Sequence, residues 1–149
     1  IFTKIISLKI KQIQEEIIDE FAMFDDWMQR YEYMIDLGKS LPLIDVKYKT
    51  DDYLVSGCQS KVWVKADLVG KQIVFKADSD AIISKGIIAV LIRVFSHHEP
   101  NEIIEANTDF IDKIGLKDHL SPNRANGLSS MIKQLKIYAL AYQTKINNE

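Results

Sequence analysis

The spacing of hydrophobic positions changes twice along this chain, dividing it into helices, a hairpin and helices again. From about Ile5 to Phe24 apolar residues recur at helical spacing, with Ile10, Ile13, Ile17, Phe21 and Phe24 on one face. Asp25 or Asp26 is placed to cap a second helix, because a short acidic side chain accepts from the free N–H groups of a first turn. Trp27, Tyr31, Met34 and Ile35 form its apolar stripe. Gly38, with Pro42 soon after, reads as the left-handed residue that ends it.

The middle reads as strands. Val46 to Lys49 and Tyr53 to Val55 are short β-like pieces around Asp51–Asp52. Val62, Val64, Ala66 and Leu68 then alternate with Trp63, Lys65 and Asp67. Gly70–Lys71 supplies a tight turn, and Ile73, Phe75 and Ala77 resume the alternation, which predicts a hairpin. Ile82 to Phe95 is apolar on nearly every side, and its length favours a helix buried against the sheet. Short helices follow from Pro100 through Ile104 and from Asp109 to Ile114. Ser121 and Pro122 predict the N-cap and first residue of a last helix. Its stripe is Leu128, Met131, Ile132, Leu135, Tyr138 and Tyr142. The order implies an α+β domain, a small antiparallel sheet packed against several helices.

Composition narrows the function. The 149 residues suit one domain spanning 1–149. A chain of this length buries about 70% of its unfolded surface, so it needs no staple. Charged residues make up 27%, the net charge is −2, and no Lys/Arg block marks a nucleic-acid face. No stretch is long and apolar enough to span a bilayer. The opening IFTKIISLKIK lacks the pattern of a cleaved leader and reads as a helical extension over residues 1–11. One Cys excludes an internal disulfide, a Cys-ligated zinc site and a self-held iron–sulfur cluster. It fits a reducing compartment, here the cytoplasm.

Cys58 is the candidate reactive group. Gly57 precedes it, and Gln59, Ser60 and Lys61 follow, in a turn ahead of the Val62 strand. A glycine there lets the backbone bend and carry a thiol on a loop tip, although a lone Cys is more often simply packed. His97 and His98 read as the solvated end of the preceding helix rather than a metal pair, since adjacent helical residues do not face one site. No local signature pairs His97, His98 or His119 with the thiol. Asp78-Ser79-Asp80 reads first as an N-cap cluster, with a polar patch beside the Cys loop as the sharper alternative. Arg124 is a cation in a first turn, unfavourable against the helix dipole, which hints at a role near a thiolate or a partner's acid.

Four separated segments resemble the SufE family of sulfur acceptors. These are GCQSKVW (Gly57 to Trp63), WMQRYEYMIDLGKSLP (Trp27 to Pro42), DSDAIISKGIIAVL (Asp78 to Leu91) and HLSPNRANGLSSMI (His119 to Ile132). Their order and spacing agree from about Gln12 to Gln143, with Lys61 at a place that is often Gln. The resemblance implies a SufE/NifU-like fold and a thiol, Cys58, that takes sulfur from the persulfide of a SufS-like cysteine desulfurase. It implies delivery to an iron–sulfur scaffold complex of the SufBCD type. No resident cofactor is implied, because pyridoxal phosphate belongs to the desulfurase. Gly57, Gln59, Ser60 and Trp63 become loop and site support, and Asp78, Asp80 and Arg124 partner-contact or supporting residues. The resemblance further implies an apolar cavity for the free thiol, lined with help from Val62 or Trp63, and it admits a homodimer. Alternatives are an acceptor serving another desulfurase and client, and a redox-sensing thiol protein.

Overall fold

The computed structural model describes residues 9–149, so the first part of the predicted N-terminal helix and most of the extension lie outside the described residues. Helix α1 runs Ile10–Ala22 and buries Ile10, Gln14, Ile17 and Phe21. Asp26 caps α2, Trp27–Lys39, by accepting from the Gln29 N–H at 2.8 Å. Strands β1, Val62–Val69, and β2, Gln72–Ser79, pair antiparallel across the Gly70–Lys71 turn, with Val62 opposite Ser79 and Val69 opposite Gln72. Helices α3 (Ile82–Phe95), α4 (Pro100–Glu105), α5 (Asp109–Lys113) and α6 (Pro122–Asn147) complete the order. The α+β class predicted from the sequence is the observed one.

A two-stranded ribbon is marginal alone. This one is stabilised on its inner face by burial of Val62, Val64, Ala66, Ile73, Phe75 and Ala77 against the helices. Both of its edges are also occupied. Along β1, Tyr138 and Tyr142 of α6 donate to the Val64 and Ala66 carbonyls at 2.9 and 2.8 Å, and the Val55 N–H donates to Val62 O at 2.8 Å. Along β2, Ala77 exchanges backbone bonds with Pro42 and Ile44, and Ile73 with His97 and His98. These contacts occupy part of each edge and so shorten the run of open N–H and C=O groups that could recruit another chain.

Several local expectations are corrected by these tertiary contacts. The Val46 to Lys49 piece is not a strand but holds a 3-10 turn, Val46–Tyr48, opening on Asp45. Of the Tyr53 to Val55 piece, Tyr53 closes a second 3-10 turn, Asp51–Tyr53, while Leu54 bridges to Trp63 and Val55 bonds to Val62. Gly38 does not end α2 in a left-handed turn. It lies inside the helix, where a Cβ would come within 3.1 Å of the Gly86 N of α3, so it serves close helix approach. His98 is not solvated. It is buried, with Nδ1 2.8 Å from the Ser96 carbonyl oxygen, because the chain after α3 turns in to pair with β2. Asp78-Ser79-Asp80 does not supply the α3 N-cap, which is Ala81, without a side-chain cap bond.

Arg93 of α3 ion-pairs with two carboxylates of α1, Glu20 and, at 3.7 Å, Glu16. Arg93 donates two bonds to Glu20, at 2.6 and 2.5 Å, and the Tyr33 hydroxyl of α2 also donates to that carboxylate. The Arg93 bonds, aided by Tyr33, outweigh partial burial and hold the Glu20 pKa below its ordinary 4.5. Folded Glu20 therefore binds its proton less readily than unfolded Glu20. Its contribution is full above the unfolded value and is lost as pH falls through the lowered folded value. Thermal midpoints of wild type and Glu20→Gln, measured from pH 7 down to pH 3, are expected to differ at neutral pH and converge at the acid end.

Candidate functional site

The Cys58 loop is held at both ends and bent in its middle. At its start Val55 joins the β1 edge. At its end Lys61 is clamped by the turn after β2. Asp80 Oδ1 accepts from the Lys61 N–H at 3.0 Å, while the Asp80 N–H and Ser79 hydroxyl donate to the Lys61 carbonyl at 3.2 and 2.8 Å. Between these anchors Gly57 takes φ +93°, and a Cβ there would lie 2.5 Å from Ser130 Oγ of α6. Only glycine meets both conditions without strain or collision.

That bend presses Cys58 against the start of α6. Its side chain is half-buried, and Sγ donates to the Gly127 carbonyl oxygen at 3.6 Å. A Cβ on Gly127 would stand 3.6 Å from Sγ, in ordinary contact. Burial pushes the Cys58 thiol pKa up from its usual value of 9.0. The resting group is therefore a protonated thiol, not a primed thiolate.

Cys58 faces two openings. One is a cavity of about 220 Å³ lined by Cys58, Gln59, Ser60 and Ser84, with the N-cap Ser121 and Asn123, Arg124, Gly127 and Met131 of α6. The other, about 390 Å³, is lined by Gly57, Gln59, Asn123 and Asn126 beside the thiol. The α6 N-cap forms part of the first wall, where Ser121 Oγ accepts from the Arg124 N–H at 3.3 Å. This holds the first turn so that Arg124, the charged member of the lining, stands beside the thiol loop. The expected apolar cavity is thus corrected. Hydroxyls, amides and a guanidinium dominate its wall, and neither Val62 nor Trp63 lines it. The reason is register: Val62 points into the core, and Trp63 onto the opposite face of the hairpin.

The residues singled out from the sequence therefore separate into two groups. Cys58, Gln59, Ser60 and Arg124 meet at the cavity, with Gly57 at the adjoining opening. Asp80 clamps the loop end without entering. Trp63 and Asp78 lie opposite each other on the strands, with Lys49 over the Trp63 ring at 5.6 Å and ion-paired to Asp78. Lys85 is 3.4 Å from Asp78 as well. Burial works to raise the Asp78 pKa, but the bonds from Lys49 and the Ser79 N–H and the Lys85 charge leave it lowered. Ser84 and Gly127 were not anticipated. The signal for Ser84 was a hydroxyl in an apolar helix, and for Gly127 a glycine inside one.

Fold and site together define an α+β domain that carries one half-buried thiol on a glycine-bent loop over a polar cavity. The SufE family profile, described as the Fe-S metabolism associated domain, matches residues 15–139. The chain belongs to the SufE family. A SufE-like protein of Rhizobium meliloti is 41% identical over 127 residues, covering 82% of this chain and 91% of that one. A SufE-like protein of Synechocystis is 36% identical over 128 residues, covering 86% and 80%. SufE-like protein 1, chloroplastic/mitochondrial, of Arabidopsis thaliana is 36% identical over 132 residues, covering 88% of this chain and 36% of its own length. The solution structure of a hypothetical protein from Thermus thermophilus superposes with a TM-score of 0.74 over 89% of this chain and 96% of that one. At 18% identity that likeness speaks for the fold alone. Among the described residues no helix is long and apolar enough to cross a membrane.

Proposed function

We propose that this protein accepts sulfur on Cys58 from a pyridoxal-phosphate cysteine desulfurase and passes it to an iron–sulfur assembly scaffold. The observation that carries the reading is the placement of a lone thiol on a bent loop between two openings, in a chain of the SufE family. The Cys58 thiol loses its proton to solvent as it leaves the Gly127 carbonyl. The thiolate attacks the outer sulfur of the donor's persulfide, and a new S–S bond forms on Cys58. The donor's S–S bond breaks, and its cysteine departs as a thiolate with the electron pair. No outside oxidant enters, and one acceptor thiol suffices. Arg124 and the polar wall favour the anionic forms on either side of the step. The lone thiol suits a reducing compartment such as the cytoplasm.

The test is intact-mass spectrometry after mixing the protein with a SufS-type desulfurase, pyridoxal phosphate and cysteine. A gain of about 32 Da per sulfur, with faster desulfurase turnover, is the expected result. No gain and unchanged turnover across several desulfurases overturns it. Sulfenate formation with dilute peroxide would then bring the redox-thiol reading forward, although a burial-raised thiol is poorly suited to that role.

Gly57 offers a second check. In Gly57→Val the new side chain meets Ser130 Oγ and takes an unfavourable positive φ, at a cost of about 1–3 kcal/mol. The loop sits outside the core, so the domain is expected to fold while sulfur uptake slows at least about tenfold, a barrier increase of about 1.4 kcal/mol. Wild-type uptake rates in a folded variant would show that the bend is dispensable.

A further inference from the structure

We infer that Ser84 is the hydrogen-bond donor that receives the outer sulfur of a Cys58 persulfide, with the α3 N-terminus and Arg124 completing an anion site in the cavity. The assignment rests on the proposed acceptor role.

Ser84 is 7% exposed and lines the same cavity as Cys58. Among the described residues nothing hydrogen-bonds its hydroxyl. Yet no sealed side-chain polar atom lacks a partner among those residues, so this oxygen opens on the cavity. A hydroxyl on a 7%-exposed residue that opens only on the cavity, with no protein partner there among the described residues, is left free to bond a polar occupant. Ser84 is the third residue of the 14-residue α3, whose N-terminus has no side-chain cap. Its free N–H groups add a positive partial charge. Arg124 adds a full charge, and no carboxylate lines the cavity.

The resting thiol and the loaded sulfur make opposite demands. The thiol has a proton and gives it to the Gly127 carbonyl. A persulfide is more acidic than its parent thiol, so the loaded form carries a negative outer sulfur and no proton to give. That sulfur is repelled by the carbonyl and turns to the donors: Ser84, the α3 N–H groups and Arg124. One cavity thus serves a neutral thiol on one set of partners and a persulfide anion on another.

The test loads Cys58 without a desulfurase. The thiolate attacks a sulfur of inorganic polysulfide, the adjacent S–S bond breaks, and the polysulfide leaves one sulfur shorter with the electron pair. The species heavier by about 32 Da is then titrated by the near-ultraviolet absorption of the persulfide anion. Ser84→Ala is expected to raise the persulfide midpoint by about one pH unit, the size of one lost bond to a charged acceptor. Its unloaded thiol and thermal midpoint are expected to stay near wild type. Ser84→Thr, which keeps the hydroxyl, is expected to retain the wild-type midpoint. Equal midpoints in wild type and Ser84→Ala, or an equal shift in Ser84→Thr, overturn the assignment and leave the hydroxyl facing water alone. Because polysulfide bypasses the enzyme, failed enzymatic uptake counts against the acceptor role, whereas an unmoved midpoint counts against Ser84.

Discussion

Cys58→Ser is expected to end sulfur uptake and return desulfurase turnover to that of the enzyme alone, with the fold intact. The chemistry needs a sulfur nucleophile that forms an S–S bond by exchange, and a serine hydroxyl stays protonated and cannot form that bond. The structural cost is small. The side chain is half-buried, and serine keeps a donor that can reach the Gly127 carbonyl. A stability change within about 1 kcal/mol follows, since no large cavity opens and no polar group is orphaned. Intact mass, turnover and the thermal midpoint, measured on the same preparation, separate the two effects. Full activation of the desulfurase by a folded Cys58→Ser protein would mean that the thiol only packs.

Gly86→Ala is expected to act in the opposite manner, with a large loss of stability and no direct contact with the thiol. A Cβ at Gly86 would lie 2.6 Å from the Met34 carbonyl oxygen and 2.9 Å from Met34 Cγ, while one at Gly38 would lie 3.1 Å from Gly86 N. The two glycines let α2 and α3 approach backbone to backbone. Alanine gains about 1 kcal/mol of helix propensity over glycine. Overpacking a filled interior costs about 1–3 kcal/mol and more when backbone must move, as it must here. The collision wins, and a net loss of about 2 kcal/mol lowers the thermal midpoint by roughly 5–8 °C in a domain of this size. Gly86→Val is expected to prevent folding. An unchanged midpoint in Gly86→Ala would show that α2 and α3 separate at little cost.

How much was legible follows from how local each signal is. The hairpin and α3 were readable because alternation and a long apolar run report directly on burial. The Asp26 and Ser121 caps were readable because a cap is formed within one turn of chain. Gly38 was misread because a glycine near a helix end has a common local use, and its neighbour here, Gly86, is distant in sequence. Val46 to Lys49 carries β-prone residues but no strand partner along its length, so it closes into a tight turn, whereas in Tyr53 to Val55 only Leu54 and Val55 reach the β1 edge. His98 was placed in solvent because it follows a helix, whereas the chain beyond α3 turns inward to finish the edge of β2.

The site divides in the same way. Cys58, its glycine and its polar neighbours form one contiguous segment, and Arg124 stands out as a cation against a helix dipole. The cavity's character was not legible, because its walls come from the thiol loop, the start of α3 and the start of α6. By itself the sequence determined the element order, the α+β class, the single thiol and the family. Those depend on periodicity, residue identity and motif order, all of which are properties of the chain. Only the tertiary structure decided that the thiol rests protonated against Gly127, that its cavity is polar, and that Ser84 faces it. Burial and hydrogen-bond partners arise when distant segments meet, and no local pattern encodes which ones do.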